Sequence, residues 1–491
     1  MSVACFGDFE KKRIRRRFRP AKAGTPLSPA VLRERFTALL PASLLRELAS
    51  ESGALDVRER KLPCLVFFWA MTIALVSQGP VWLSTIAAQV GAAALMASLE
   101  GRHVSRQAVS ENLCRRPWGF FAAVLKYLLA GQAAASAGPV AGLEVIRQLD
   151  VLLVDTTMLR LARRLAAVFP TYATARSPRW VGAQLHSRME VQSSLPEVVT
   201  LTSVKEDELS VSFLQEVGRA ALYIFDLGYW CYALFDEIID RQQHFLSRLK
   251  GKSNPLIKEV YVGEQPWVGC RWQEIDLGER REVDLLVNLT AANVTAKTRR
   301  KPRTPAERKK DKGHRRAKYM EHDVRLVGEW QESRQRWFFY VTSLLDRQAF
   351  PVSLIVDLYR VRWQIEILFR NLKYVLGLNH LISSSENGVY IQIYAAMICY
   401  LLTRLVIRQA AVETGRPEED FSVPYCVQIV GQLVAKVDPL ALASASNAEL
   451  QLLESRLVAA IIAQGLRPNR RRRALLTSVK KRLAQPQTSL S

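Results

Sequence analysis

The spacing of apolar and polar residues divides the chain into a helical region followed by strand-like segments. Residues 29–135 repeat their apolar positions at the helical period. Two apolar runs, 149–154 and 221–225, have the length and composition of buried strands. Between them, residues 180–190 and 196–204 show the alternation of half-buried strands. The pattern therefore predicts an α/β chain with a mixed sheet, in which the first strands are antiparallel.

A second strand-rich segment predicts an inserted subdomain. Strand signals occur at 282–290, 323–329 and 336–342, within a stretch far longer than one crossover connection requires. Among them, residues 297–318 contain twelve Lys or Arg residues against two acidic ones. This composition cannot form a core, so we expect a mobile basic loop unless a bound polyanion orders it.

An aspartate follows each of the two apolar runs. Asp155 lies in VLLVDTT and Asp226 in LYIFDLGYW. Ligands of α/β sheets gather at the carboxyl ends of strands, which makes both side chains candidates for chemistry. Either aspartate alone is as readily explained as a turn starter or a helix cap. A third carboxylate at the same place would favour the chemical interpretation.

Glu366 is the candidate for that third carboxylate, in the segment YRVRWQIEILFRNLK. Tyr359, Arg362, Glu366 and Lys373 are separated by three, four and seven positions, which places them on one stripe of a helix. Such a stripe is often only a solvated face braced by an Arg–Glu pair. Combined with the two aspartates, it instead indicates a cluster of oxygen ligands for Mg²⁺ or Mn²⁺ and a cationic surface for phosphate.

These motifs resemble those of the insertion-sequence DDE transposases that carry a Tyr-Arg-Glu-Lys signature, the insertion sequence four-type family. The resemblance extends over about residues 140–410 and includes HFLSRLK and LKYVLGLNHL. Leu227 follows the second aspartate where the family usually has an arginine. This departure affects a neighbour of the expected metal ligand and leaves the ligand itself in place.

The resemblance implies a ribonuclease H-like catalytic core, a mixed sheet flanked by helices, that is interrupted by a β-rich insertion. It implies two Mg²⁺ ions, with Mn²⁺ able to substitute, and cut-and-paste transposition by a homodimer that binds transposon ends and target DNA. The residues implied as catalytic metal ligands are Asp155, Asp226 and Glu366, with Asp155 bridging the two ions, and those implied as DNA ligands are Tyr359, Arg362 and Lys373.

The family resemblance also implies an aromatic residue in the insertion that holds a flipped base. The candidates are Trp267, Trp272, Trp330 and Trp337, although each is more readily explained as a sheet-packing residue. His186 could act as a general base, but no partner is visible for it. An ordinary polar position on a strand explains His186 better.

Composition independently favours a polyanionic partner. The chain has 69 Lys and Arg residues against 46 Asp and Glu residues, a net charge of +23. Its 491 residues and 49% hydrophobic content exclude disorder throughout. Seven scattered cysteines without CxxC spacing predict free thiols in a reducing cytoplasm, and the basic N-terminus does not resemble a signal peptide. We therefore expect a bacterial cytoplasmic, nucleoid-associated protein, without a membrane span; the apolar stretch 62–78 is interpreted as a core helix.

Changes in composition and in hydrophobic pattern along the sequence predict the domain boundaries. The predicted regions are a basic arm at 1–22, a helical end-binding domain at 23–146, a catalytic core at 147–251 and 341–440, the insertion at 252–340, and a helical basic C-terminal region at 441–491 that could mediate dimerisation. The helical N-terminal region could instead serve only in dimer contacts. Three alternatives to an active transposase stay open: a catalytically silent DNA-binding repressor, a related metal-dependent nuclease, and an unrelated basic RNA-associated protein.

Overall fold

The computed structural model describes most of the chain in two compact units. The described residues are 40–56, 62–77, 81–96, 104–136, 149–169, 181–191, 195–203, 214, 220–291 and 318–467. One unit combines residues 1–140 with 370–470, and the other combines 141–369 with 471–491. The predicted basic arm 1–22, nearly all of the basic loop 297–318 and the basic run after 467 lie outside the described residues.

The elements follow one another along the chain as helices, strands and then helices again. The helices are α1 (Ala42–Glu51), α2 (Cys64–Val76), α3 (Leu83–Met96), α4 (Arg106–Arg115), α5 (Gly119–Ser136), α6 (Tyr232–Asp240), α7 (Val352–Val361), α8 (Trp363–Arg370), α9 (Glu386–Thr414), α10 (Val423–Val434), α11 (Pro439–Ser444) and α12 (Asn447–Gln464). The strands are β1 (Leu149–Leu161), β2 (Val181–Glu190), β3 (Leu195–Ser203), β4 (Ala220–Phe225), β5 (His244–Arg248), β6 (Leu256–Val262), β7 (Glu282–Thr290), β8 (Tyr319–Gln331) and β9 (Arg336–Thr342).

The strands form one nine-stranded mixed sheet in the order β3-β2-β1-β4-β5-β9-β8-β7-β6. Strands β1 to β3 are antiparallel, β4 is parallel to β1, and β5 is parallel to β4. The remaining strands pair antiparallel, beginning with β9 against β5. The strands predicted at 180–190, 196–204, 282–290, 323–329 and 336–342 are confirmed. The strands of the predicted insertion therefore continue the sheet that β1 to β5 begin.

Strand β1 differs from its prediction in one respect that concerns Asp155. The apolar run 149–154 is a strand, but β1 continues to Leu161 because its second half pairs with β2 in an antiparallel hairpin. Only the parallel pairing with β4 stops at this point, with Val154 opposite Phe225. Asp155 therefore lies inside β1, at the carboxyl edge of the parallel pair.

A buried ion pair holds the distal part of the sheet to the segment after β9. Arg325 of β8 donates through Nε and Nη2 to the two carboxylate oxygens of Asp284 in β7, both at 2.7 Å. Its Nη1 donates to the carbonyl oxygen of Phe350 at 2.6 Å. Arg325 is 1% exposed and Asp284 is 3% exposed, so each charge depends on its partner for compensation.

The helical unit is built around α2 and α9. Every residue of α2 except Trp69 is buried, which confirms the interpretation of 62–78 as a core helix. Helix α9 packs against α2, α4, α5 and α12. Among the described residues, α9 is the one helix long and apolar enough to cross a membrane by length and composition, but 78% of its most apolar window is buried. Core helices of globular proteins share that property.

The division into units falls at Arg370, within the segment predicted as catalytic core. Helices α9 to α12 belong to the same unit as α1 to α5, whereas the sequence was divided at residues 146 and 440. The physical reason is that α9 is apolar on most of its surface and packs on the N-terminal helices.

Cysteines of the described residues are free thiols, as the sequence predicts.

Candidate active site

Two aspartates meet at the carboxyl edge of the parallel strand pair. Asp155 follows Val154 of β1, and Asp226 follows Phe225 of β4; Val154 and Phe225 are register partners. Both strands are buried by their apolar residues up to this level, and the backbone amide of Thr156 donates to Asp155 Oδ1 at 2.8 Å. The register places the two carboxyl groups on neighbouring strands at the same height of the sheet.

The signature segment is less regular than a single helix. Helix α7 ends at Val361, Arg362 lies at the junction, and α8 carries Glu366. A π-helical turn, Asn371–Val375, follows and contains Lys373. The apolar stripe predicted opposite the charges is confirmed, since its residues are buried: Val361, Ile365, Leu368 and Leu372.

Arg362 joins the strand and the helix through two carboxylates. Its Nη1 donates to Asp155 Oδ2 at 3.2 Å, and its Nη2 donates to Glu366 Oε1. The residue is 9% exposed, and its Nε is buried without a hydrogen-bond partner among the described residues. The Arg–Glu ion pair that explains many helical charge stripes is present, but here the same arginine also binds Asp155 of the sheet.

The charges of Arg362, Asp226 and Glu366 all act on Asp155. Burial raises the pKa of Asp155 to about 6; the Arg362 guanidinium and the Thr156 amide oppose this rise, whereas Asp226 and Glu366 add to it. Burial acts to lower the pKa of Arg362, but interactions with Tyr359 and with the charges of Asp226, Asp155 and Glu366 outweigh it and raise the pKa. Asp155, Asp226, Arg362 and Glu366 are therefore one electrostatic unit, which we call the carboxylate–arginine cluster.

Tyr359 lies against this cluster. The Arg362 guanidinium carbon is 5.8 Å from the centre of the Tyr359 ring, and the ring of Tyr340 packs on its side at 5.0 Å. Burial raises the pKa of the Tyr359 hydroxyl above its ordinary value, so the phenol stays neutral at physiological pH. The hydroxyl oxygen is buried without a hydrogen-bond partner among the described residues, so it is a donor whose capacity is unused.

Lys373 belongs to the helical unit, whose second segment begins at Arg370. Burial lowers the pKa of its ammonium group. Five of the six predicted site residues thus lie in the sheet unit, and the role of Lys373 beside them stays a prediction.

The three carboxylates are the candidate ligands for a divalent metal ion. Three carboxylates and no softer ligands suit Mg²⁺ or Mn²⁺ in kind. As arranged, however, no three acidic, histidine or cysteine side chains of the described residues are spaced to share one ion. Arg362 lies between Asp155 and Glu366 and engages one oxygen of each, so the guanidinium and a shared ion would compete for these carboxylates.

The four tryptophans proposed for base binding are engaged in packing. Trp267 is buried beneath the Arg280 guanidinium, and Trp272, Trp330 and Trp337 contact other aromatic rings of the sheet. Their packing fits the structural interpretation of these residues. Trp363, which the sequence reasoning did not single out, is 61% exposed on α8. The sequence does contain a signal for its exposure, because Trp363 falls outside the apolar stripe of the signature segment.

His186 is a buried strand residue. Its Nε2 is 2.7 Å from Thr202 Oγ1 on the neighbouring strand β3, and burial lowers its pKa to about 4. The imidazole is therefore neutral at physiological pH, in agreement with the interpretation as a polar strand position.

Comparison with known proteins identifies the class. The family described as Transposase DDE domain matches residues 146–402, just over half of the chain. The chain belongs to this family. The family match and the relatives named below confirm the identification as an insertion-sequence DDE transposase that the motifs suggest.

Several relatives carry transposase names. The chain is 26% identical over 227 residues to transposase y4zB of Sinorhizobium fredii, covering 46% of this chain and 54% of that one. It is 22% identical over 296 residues to the transposase for insertion sequence element IS231F of Bacillus thuringiensis, covering 54% and 59%. The chain thus spans somewhat more than half the length of these two relatives.

One solved structure, a piggyBac transposase synaptic complex with hairpin DNA, aligns over 95% of this chain and 87% of its own, with 8% identity and a TM-score of 0.37. A score this low does not define a shared fold.

Proposed function

We propose that the protein is a cut-and-paste DNA transposase. It would bind the terminal inverted repeats of its insertion sequence, cleave the ends by metal-dependent hydrolysis and join the freed 3′ hydroxyls to target DNA. The observation that carries this proposal is the carboxylate–arginine cluster, in which Asp155, Asp226 and Glu366 come together from two strands and a helix. Family membership supports the reaction class.

We further propose that β1 to β5 form a ribonuclease H-like core. The strand order β3-β2-β1-β4-β5, with three antiparallel strands followed by two parallel ones, supports this assignment. Asp155 lies in β1 and Asp226 directly follows β4, at the carboxyl edge of the parallel pair, which is where a crevice can hold a substrate.

The residue roles follow from chemistry and position. Asp155, Asp226 and Glu366 would hold two Mg²⁺ ions, with Mn²⁺ able to substitute, which when bound supply charge stabilisation and activation of the attacking oxygen. Arg362 has a forked guanidinium suited to two phosphate oxygens, and its unpaired buried Nε offers a further donor. Tyr359 and Lys373 would hold adjacent phosphates of the cleaved end.

The partners proposed for the whole protein are double-stranded DNA and a second copy of the chain. The net charge of +23 supports attraction to the phosphate backbone. Action on DNA in turn supports a cytoplasmic, nucleoid-associated location.

A second candidate is a catalytically silent DNA-binding relative that acts as a repressor. The ion pairs of Arg362 favour this candidate, because they engage two of the three carboxylates within the protein. Retention of Asp155, Asp226 and Glu366 favours the active enzyme, because a silent relative would tolerate their loss.

Strand cleavage separates the two candidates. The substrate is a DNA fragment that carries the flanking sequence of the gene, with Mg²⁺ present, and the wild type is compared with Glu366→Ala. The matched control is Glu237→Ala, which removes another glutamate from an ion pair with an arginine four positions away. We expect nicking at a defined flank boundary in the wild type and the control, and none in Glu366→Ala. DNA binding without cleavage in all three proteins would support the silent relative.

A further inference from the structure

Three arginines surround a single aromatic ring on the sheet. The guanidinium carbons of Arg248, Arg334 and Arg336 lie 5.7, 5.6 and 4.5 Å from the centre of the Phe338 ring. Arg248 ends β5, Arg336 begins β9, and Arg334 lies in the short turn between β8 and β9. Arg334 and Arg336 are exposed, and the ring itself is 8% exposed. We call this group the Phe338 arginine cluster.

The charges of this cluster are not compensated within the described part of the chain. None of its arginine side chains makes an ion pair or a hydrogen bond with another described residue there. Two other arginines that cover aromatic rings on the same sheet differ in this respect. Arg280 over Trp267 pairs with Glu264 at 2.7 Å, and Arg281 over Trp330 pairs with Glu332 at 2.9 Å.

This contrast points to an anionic ligand for the Phe338 arginine cluster. A guanidinium over a ring is stabilised by the ring face, but three such cations at one ring repel one another. At Trp267 and Trp330 a carboxylate balances the charge. At Phe338 the facing carboxylate of β8 is Glu329, which already pairs with Arg360 at 3.0 Å. Within the described part of the chain, the three arginines are thus open to solvent anions or an anionic ligand, and release of such ions favours the binding of a polyanion.

The cluster borders the candidate active site. Phe338 and Tyr340 point to the same side of β9, because they are two positions apart on one strand. Tyr340 in turn packs on Tyr359, 5.0 Å between ring centres. The charge of Arg248 acts on both tyrosines, and that of Arg334 acts on Tyr340. One layer of aromatic side chains therefore separates the arginines from the signature residue Tyr359.

We propose that Arg248, Arg334 and Arg336 form a binding site for the phosphodiester backbone of duplex DNA next to the cleavage point. The inference rests on the proposed function, since it names the surface along which the DNA leaves the carboxylate–arginine cluster. Arg248 comes from the strand next to β4, whereas Arg334 lies in the β8–β9 turn and Arg336 begins β9. A DNA backbone bound by all three arginines would link the β8–β9 turn to β5 in the middle of the sheet. Contacts to phosphates alone give the protein no preference for a DNA sequence.

The test measures the affinity of the full-length protein for a duplex of its own flanking sequence as a function of salt concentration. The variant Arg248→Gln/Arg334→Gln/Arg336→Gln is compared with a control, Arg241→Gln/Arg280→Gln/Arg281→Gln. The control removes the same net charge from arginines that all have carboxylate partners. Thermal unfolding of both variants establishes that they are folded, and Arg336→Gln alone replaces the triple variant if that protein does not fold.

We expect the cluster variant to lower the slope of log affinity against log salt by about 2 to 3, close to 0.9 per lost phosphate contact. Affinity in moderate salt should fall at least about 10-fold, and the control should change its slope by less than about 1. An equal change in both variants would show a general charge effect and overturn the proposal, as would an unchanged slope in the cluster variant. Absence of DNA binding by the wild type would instead contradict the proposed function.

Discussion

The sheet unit contains two groups of arginines that differ in how their charge is balanced. In the carboxylate–arginine cluster, Arg362 is buried and bonded to Asp155 and Glu366. In the Phe338 arginine cluster, an aromatic ring is the shared partner, and Arg334 and Arg336 are exposed. A compensated cluster has to open before it can bind an ion, whereas an uncompensated one attracts a polyanion without rearrangement. The difference predicts that chemistry and DNA retention can be separated by mutation.

The largest expected effect is on cleavage. Asp155→Ala removes the carboxylate at the centre of the compensated cluster, so cleavage should fall by at least about 100-fold, the scale of one lost transition-state charge stabiliser. DNA-end binding should change little, because the Phe338 arginine cluster is untouched. A gel assay that follows nicked and bound DNA together measures both quantities. Cleavage by Asp155→Ala at the wild-type rate would remove the metal-site assignment.

The buried ion pair Arg325–Asp284 also has balanced charges, but unlike the carboxylate–arginine cluster it is proposed to bind no ligand. Asp284→Ala should lower the free energy of unfolding of the sheet unit by about 3 to 5 kcal/mol, because it leaves Arg325 buried and charged. The double variant Arg325→Met/Asp284→Leu should recover much of this loss. Urea unfolding followed by circular dichroism measures the difference. A loss below about 0.5 kcal/mol in the single variant would show that water or another group compensates Arg325.

The stability of the carboxylate–arginine cluster should depend on pH. The folded-state pKa of Asp155, about 6, exceeds its unfolded value, so the folded protein binds more protons between about pH 4 and 6. Stability is therefore highest below the unfolded pKa and declines as pH rises through 6, by up to about 3 kcal/mol. The side chain of Asp155→Asn cannot titrate. In EDTA, the difference in free energy of unfolding between the wild type and this variant should therefore follow the decline as pH rises. Parallel pH curves for the two proteins would contradict the raised pKa.

The smallest effect concerns ion binding without DNA. Arg362→Gln removes the cation that competes for Asp155 and Glu366, so Mn²⁺ affinity should rise about 10-fold, or about 1.4 kcal/mol, the order of one charge–charge interaction near a protein surface. Calorimetric titration with Mn²⁺ measures this affinity. Arg360→Gln is the control, because Arg360 is paired with Glu329 and Asp357. Weaker Mn²⁺ binding by Arg362→Gln would show that the guanidinium supports the ion site.

Local patterns in the sequence predicted much of the fold, whereas the roles of the candidate site residues stay predictions. The apolar runs and alternating segments became β1 to β4 and β7 to β9, because burial on one or two faces leaves a direct periodic signal. The continuation of β1 beyond Asp155 was not predicted, since that half of the strand depends on its pairing with β2. The break at Arg362 was also missed, because α7 and α8 share one apolar stripe across it.

Features that depend on distant pairing left no local signal. The Arg362–Asp155 bond joins residues 207 positions apart. Likewise, Arg248 reaches Phe338 only because β5 pairs with β9 across the whole predicted insertion. The division at Arg370 falls within continuous helical sequence and reflects the packing of α9 on helices from the other end of the chain. Neither periodicity nor motif spacing reports such contacts.

The most direct test of the central claim is whether the carboxylates bind the catalytic ions. Asp226→Cys replaces a hard oxygen ligand by a softer sulfur, which binds Mg²⁺ poorly and Mn²⁺ better. Cleavage of the flanking-sequence DNA by this variant should disappear with Mg²⁺ and return at the same positions with Mn²⁺, whereas the wild type should cleave with both ions. Wild-type cleavage by Asp226→Cys with Mg²⁺ would contradict the assignment of Asp226 as a metal ligand.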